Sequence, residues 1–249
     1  MNIIRHGIGV GIETPSGVLP VCYIIGIGRN YAEHATEQGA DIPDRPMVFT
    51  KSPVSPCLDG DEIVVPKVCQ DQEQVDFEAE LGVVIGRDAR DVPEDKALDF
   101  VLGYTCCNDV SARWWQKKGS GGQFCRGKSF DSFCPVGPRV VPASEIQDPQ
   151  NLRVRCVVNG ETMQDGHTGQ MIFSVANLIS DLSRGATLPA GTLILTGTPS
   201  GVGMARTPPR FLKDGDTVEI EIESVGRLRN TVRFERQSIH GCRSLDADP

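Results

Sequence analysis

Val75-Asp76-Phe77-Glu78-Ala79-Glu80-Leu81, running on into Gly82-Val83-Val84-Ile85-Gly86, is the stretch from which the rest of the chain is read. Apolar and acidic residues alternate over its first seven positions. A strand has a side-chain period of two, so Asp76, Glu78 and Glu80 share one face while Val75, Phe77, Ala79 and Leu81 share the other. Same-face neighbours lie roughly 7 Å apart, and carboxylates at that spacing repel one another unless water or a cation screens them. Two readings follow. The stretch is either a half-buried strand with a wet polar face, or a core-anchored strand that holds Glu78 and Glu80 toward a metal ion.

Composition narrows the choice. The chain has 249 residues, 39 % hydrophobic and 23 % charged, enough for a domain with a substantial core. No window approaches the roughly 20 apolar residues of a bilayer span, and Met1 to His6 leads into a glycine-rich segment instead of the apolar centre of a signal peptide. A cytoplasmic protein is expected. The formal charge of −8 comes without any basic block, which argues against nucleic acid or an anionic membrane as partner. Nine cysteines, odd in number and scattered apart from Cys106-Cys107, read as reduced and buried instead of as a disulfide framework. His6, His34, His167 and His240 have no zinc-type spacing, so any metal must be held mainly by oxygen.

Outward from the acidic stretch, residues 7 to 27 predict short strands broken by a turn at Thr14 to Gly17. Gly26-Ile27-Gly28 follows a strand, but Tyr31 occupies the place of the third glycine that a dinucleotide loop needs. A helix is expected from Tyr31 to about Gly39, with His34 and Glu37 side by side, either as a general-base pair or as ordinary surface decoration. Met47 to Lys51 and Leu98 to Cys106 predict strands. A second helix is expected to start near Asn108 or Asp109, both good caps, with Asp109, Arg113 and Gln116 on one face. Lys128 lies among apolar and small residues. Asn159-Gly160 between two apolar runs is a hairpin signal, Ile172 to Leu182 carries a helical stripe closed by Gly185, and Thr192 to Thr196 is a buried strand. It delivers Gly197 to Gly203, either a plain surface turn or one whose backbone N–H groups receive an anion. Thr217 to Ser224 and Leu228 to Phe234 form a last antiparallel pair. Strands outnumber helices in irregular order, so a mixed, largely antiparallel α+β architecture with flanking short helices is expected. Residues 1–19 form a short N-terminal strand and turn segment, 20–236 the main domain, and 237–249 a loosely held tail.

Five of these motifs occur in one order: Gly28-Arg29-Asn30-Tyr31 with His34, Phe77 to Leu81, Asn108 to Arg113, Gly127 to Asp131, and Leu195 to Gly203. Together, over residues 20 to 235, they resemble the fumarylacetoacetate hydrolase family. Asp109 to Gln116 and Pro208-Pro209-Arg210-Phe211-Leu212 are most similar to its domain-containing protein 2 branch. The resemblance implies a curved β-sheet roll, a homodimer, and Mg²⁺ or Mn²⁺ held by Glu78, Glu80 and Asp109. Asp76 falls outside the match and is read as a solvent-facing acid or one behind the ligands. His34 and Glu37 match a dyad on a lid helix in acylpyruvate-hydrolysing relatives, Lys128 joins them as a catalytic group, and Arg113, Gln116 and Thr198 match substrate-holding positions. The implied substrate is a small 2-oxo acid that reacts through an enolate stabilised by the cation. Hydrolytic C–C cleavage of a 3-acylpyruvate is the first expectation. The same enolate serves oxaloacetate decarboxylation, oxaloacetate keto–enol tautomerisation, and isomerisation or decarboxylation of dienedioates, and the branch strengthens the tautomerase alternative. A non-enzymatic metal-binding dimer ranks last.

Overall fold

Ala79–Ile85 is buried along its whole length, on both faces. Its place in the sheet explains why. In the computed structural model, which describes residues 1–37 and 41–236, it is the middle member of seven strands. They run in the order Met47–Lys51, Tyr23–Gly28, Thr192–Leu195, Ala79–Ile85, Val101–Asn108, Cys134–Pro142 and Pro56–Leu58. The pairings of Thr192–Leu195 with Tyr23–Gly28 and of Cys134–Pro142 with Pro56–Leu58 are parallel, and the others are antiparallel. A second sheet orders Glu161–His167, Arg153–Val158, Thr217–Ile222, Gly226–Phe234 and Glu62–Val65, with only the last pair parallel.

Leu81, Val83 and Ile85 pack with Val154, Cys156 and Ile220 of this second sheet in the larger core. On the other face, Val84, Ile24 and Leu193 meet Val10 and Ile12 in a smaller one. Those last two belong to a three-stranded sheet of Ile3–His6, Gly9–Thr14 and Gly17–Pro20. The half-buried reading of Val75 to Leu81 is therefore corrected: no face of this strand meets solvent. The fold is α+β, a curled, mixed and largely antiparallel sheet with few short helices.

Local signals fare according to how local they are. Asn159 (φ 52°) and Gly160 (φ 84°) turn the hairpin between Arg153–Val158 and Glu161–His167. The helix Val175–Ser183 is capped by Ser174, whose Oγ accepts from Asn177 N at 3.1 Å, and it buries Val175, Leu178 and Ile179. The helix expected at Asn108 does not begin there. Val101–Asn108 stays a strand, Ser111–Ala112 pairs with Val75–Asp76, and helix starts only at Arg113–Gln116. Tertiary bonds outcompete the cap, because Asp109 N donates to Glu78 O at 2.9 Å and both Asp109 carboxylate oxygens are claimed by lysines. The first helix spans Ala32–Glu37. Its expected end near Gly39, and the tail 237–249, lie outside the described residues.

Among the described residues no helix is long and apolar enough to cross a membrane, and no cysteine is in a disulfide. Cys22 and Cys125 are exposed while Cys57, Cys69, Cys106, Cys107, Cys134 and Cys156 are buried. Burial pushes the thiols of Cys69, Cys106 and Cys134 up to about 12, which suppresses the reactive thiolate. Alkylation of the native protein near pH 7.5, read by peptide mass spectrometry, should modify Cys22 and Cys125 and spare the buried six until denaturant is added.

Candidate active site

The acidic stretch is interrupted where its function is concentrated. Val75–Asp76 and Ala79–Ile85 are strand, and Phe77-Glu78 between them is not. Side chains from elsewhere satisfy the backbone of this gap: Glu78 N donates to Asn108 Oδ1 at 3.0 Å and Ala79 N to Gln164 Oε1 at 2.9 Å. Glu78, Glu80 and Asp109 thereby come together, each buried, with one oxygen from each lying within 4.8 Å of the others.

Three cations surround these carboxylates. Lys128 Nζ bridges Glu78 Oε2 (2.7 Å) and Asp109 Oδ2 (2.5 Å), Lys51 Nζ donates to Asp109 Oδ1 (2.6 Å), and Arg113 Nη1 meets Glu78 Oε1 (2.8 Å). Asp76 is also buried. Its carboxylate takes Arg113 Nε (2.9 Å) and the Gly203 and Met204 amides (2.8 and 3.0 Å). Burial pushes the Glu78 carboxyl up, but Lys128, Arg113 and His34 outweigh it and hold the group well below the usual carboxylate range. Glu80 goes the other way, driven up first by burial and then by Asp109 and Glu78. It accepts from Gly197 N at 2.7 Å and forms no ion pair among the described residues. Four buried carboxylates thus face three buried cations, with the shortage of positive charge falling at Glu80. An all-oxygen donor set short of one positive charge fits a hard divalent cation such as Mg²⁺ or Mn²⁺. Glu78, Glu80 and Asp109 are the residues that would hold it.

Two glycines make the arrangement possible. Gly197 adopts φ +95°, and a Cβ there would lie 2.7 Å from that of Asn30, so only glycine lets this amide reach Glu80. At Gly127 a Cβ would come within 2.4 Å of Gln116 N. The helices Arg113–Gln116 and Phe124–Lys128 touch there, and Lys128 is turned inward by the contact.

The cluster opens into a cleft lined by Arg29, His34, Phe49, Gln116, Lys128 and Thr198 together with Glu78 and Glu80. His34 is buried, and its Nδ1 lies 3.2 Å from Glu37 Oε2. Glu37 Oε1 accepts from Gly201 N at 2.9 Å and Ser200 Oγ donates to Glu33 Oε2 at 3.3 Å, which ties the helix to the glycine-rich turn. Thr198 Oγ1 donates to Ala79 O (2.9 Å) and accepts from Gln164 Nε2 (2.7 Å), so its hydroxyl proton is already committed to the scaffold.

The structure therefore brings together Glu78, Glu80, Asp109, Lys128, His34, Glu37, Gln116 and Thr198. Arg113 is close by but turned to Asp76, Glu78 and Gln116 (3.0 Å) instead of into the cleft, and it does not share a helix with Asp109. Asp76, read as solvent-facing or behind the ligands, is fully buried and grips Arg113 behind Glu78. Sequence reasoning gave Lys51 and Gln164 no role. The only trace of Lys51 was a cation ending an apolar strand, and nothing marked Gln164.

With this geometry in hand, similarity to known proteins becomes informative. Residues 23–233 match the family model described as fumarylacetoacetate (FAA) hydrolase C-terminal. Oxaloacetate tautomerase YisK of Bacillus subtilis (strain 168) is 49 % identical over 211 residues, covering 84 % of this chain and 69 % of that protein. The mitochondrial oxaloacetate tautomerase fahd2 of Xenopus laevis is 46 % identical over 209 residues, covering 84 % and 65 %. The chain thus spans about two thirds of the length of these relatives. A crystal structure of 5-carboxymethyl-2-hydroxymuconate delta-isomerase from Mycobacterium smegmatis superposes with a TM-score of 0.77 at 34 % identity, covering 95 % of this chain and 94 % of that one.

Mn²⁺ added to the protein at a hundredfold excess over its Kd should stabilise it by about 2.7 kcal/mol, seen as a rise in Tm that Glu80→Gln and Asp109→Asn each reduce. Asp76→Ala leaves the buried Arg113 short of its main partner, and in urea unfolding it should cost about 3–5 kcal/mol.

Proposed function

The chain belongs to the fumarylacetoacetate hydrolase family, and from that premise we propose that it is a divalent-cation-dependent enzyme that interconverts the keto and enol forms of oxaloacetate or a closely similar 2-oxo acid. The observation that carries this reading over hydrolytic C–C cleavage is the identity of nearly one half to two oxaloacetate tautomerases along 84 % of the chain.

Tautomerisation asks little of a protein. A proton leaves C3 and another arrives on the oxygen at C2, or the reverse, with no carbon–carbon bond broken and no water consumed. His34 is the group assigned to the proton at C3. Glu37, itself fixed by the Gly201 amide, orients the ring through Nδ1 and supports its basicity. Lys128 is no candidate for the base: burial pushes its ammonium down, but Asp109 and Glu78 more than compensate and keep it protonated. It supplies fixed positive charge beside the cleft and can donate a hydrogen bond to developing negative charge. A divalent cation, when bound, supplies Lewis-acid polarisation of the 2-oxo group. Glu78, Glu80 and Asp109 are assigned to hold it, with Lys51 and Arg113 keeping two of these carboxylates in place. Gln116 and the Thr198 turn remain as contacts for the substrate. Removal of bulk water by the helix Ala32–Glu37 would strengthen each of these charges.

Two assays test the proposal. With Mg²⁺ present, the enol absorbance of oxaloacetate should decay faster with protein than without, releasing neither carbon dioxide nor pyruvate. Acetylpyruvate should remain intact. Cleavage of acetylpyruvate at a rate exceeding enol consumption would restore the hydrolase reading, and stoichiometric carbon dioxide would indicate a decarboxylase. His34→Ala should lower the tautomerase rate by about 10²–10⁴.

A further inference from the structure

The cations of the site divide into two kinds. Lys51, Lys128 and Arg113 each contact a buried carboxylate. Arg29 also lines the cleft, yet it takes part in no ion pair among the described residues, and its Nε is buried without a hydrogen-bond partner. A buried N–H in that condition is expensive, because it has left water without finding an acceptor among the described residues. Such groups persist where a ligand, an ion or water completes them.

Its backbone points the same way. Arg29 has φ 55°, in the left-handed region that residues with a side chain seldom adopt. The conformation is held from the next residue: Asn30 Nδ2 donates to Phe173 O (3.0 Å) and Thr196 O (2.8 Å), and its Oδ1 accepts from Phe173 N (2.8 Å). Thr196 directly precedes Gly197, whose amide holds Glu80. Arg29 is thus positioned by the same chain crossing that positions a proposed metal ligand. Nearby, the Lys117 ammonium is pushed down by burial and then by the charges of Arg113 and Arg29, with Asp76 partly offsetting them.

We propose that Arg29 is a specificity-determining residue that receives the second carboxylate of a dicarboxylic substrate, while the 2-oxo acid end lies at Glu78, Glu80 and Asp109. The assignment rests on the 2-oxo acid reading above and deepens it by requiring a diacid. A guanidinium matches a carboxylate through two parallel N–H···O bonds, which a methyl group in the same place cannot accept.

The test compares oxaloacetate with 2-oxobutyrate, which has a methyl in place of the distal carboxylate and keeps the enolisable C3 hydrogens. Exchange of those hydrogens with deuterium is followed by NMR in Mg²⁺-loaded wild type, Arg29→Gln and Arg29→Lys. Arg29→Gln should lower kcat/KM for oxaloacetate about 30-fold, mainly through KM. It should change 2-oxobutyrate by less than about threefold, which also reports an intact fold, and Arg29→Lys should fall between on oxaloacetate. Equal losses on both substrates, or no loss on either, would overturn the proposal. A second arm is independent of turnover: calorimetric binding of oxalylglycine and of N-ethyloxamate, its methyl counterpart, to the same proteins. Wild type should prefer the diacid at least tenfold and Arg29→Gln should not. Absence of that preference in wild type refutes the Arg29 assignment, whereas a preference without hydrogen exchange refutes the tautomerase reading alone.

Discussion

Everything in this site follows from burying four carboxylates close together. Each buried carboxylate forgoes several kcal/mol of hydration, and Asp76, Glu78, Glu80 and Asp109 are all buried. Lys51, Lys128 and Arg113 recover much of that loss through contacts of 2.5–2.9 Å. They are one charge short, and the deficit collects at Glu80. The scaffold has been shaped around this imbalance, with two glycines allowing close backbone approach and Asn108 and Gln164 filling the broken strand. Such a cluster is poorly stable by itself and well suited to accepting a positively charged ligand.

Legibility in the sequence followed the range of the forces involved. Asn159-Gly160, the Ser174 cap and the apolar runs of Met47–Lys51 and Thr192–Leu195 act through neighbouring residues, and they could be placed from residue type alone. Asp109 was misplaced as a helix cap because a cap is a local preference worth about 1 kcal/mol, and two buried lysine contacts from Lys51 and Lys128 outweigh it. For Asp76 the choice between a solvent-facing acid and one behind the ligands stayed open for a related reason. Alternation tells which residues share a face, but not that Arg113 and the Gly203 and Met204 amides enclose this carboxylate. Lys51 and Gln164 left no usable signal, since their partners lie 58 and 85 residues away.

Arg113, which the resemblance matches to a substrate-holding position, is engaged here by groups of the protein itself. An arginine beside a cleft invites the reading of an anion receptor, yet its donors are taken by Asp76, Glu78 and Gln116, and what it delivers is the orientation of Glu78. Arg29 is less conspicuous in the sequence and differs in forming no ion pair among the described residues, where its buried Nε also lacks a hydrogen-bond partner. The difference between a bracket and a receptor lies in this balance of donors and acceptors.

The long span of these contacts bears on how the chain reaches its native state. Glu80 meets Gly197 across 117 positions, and Asp109 meets Lys51 across 58. Loops of that size close late and against chain entropy. Until the central strand has been flanked on both sides, its carboxylates remain hydrated and resist entering the core. Collapse around the acidic stretch is therefore costly until Lys51, Lys128 and Arg113 are in place to offset the lost hydration.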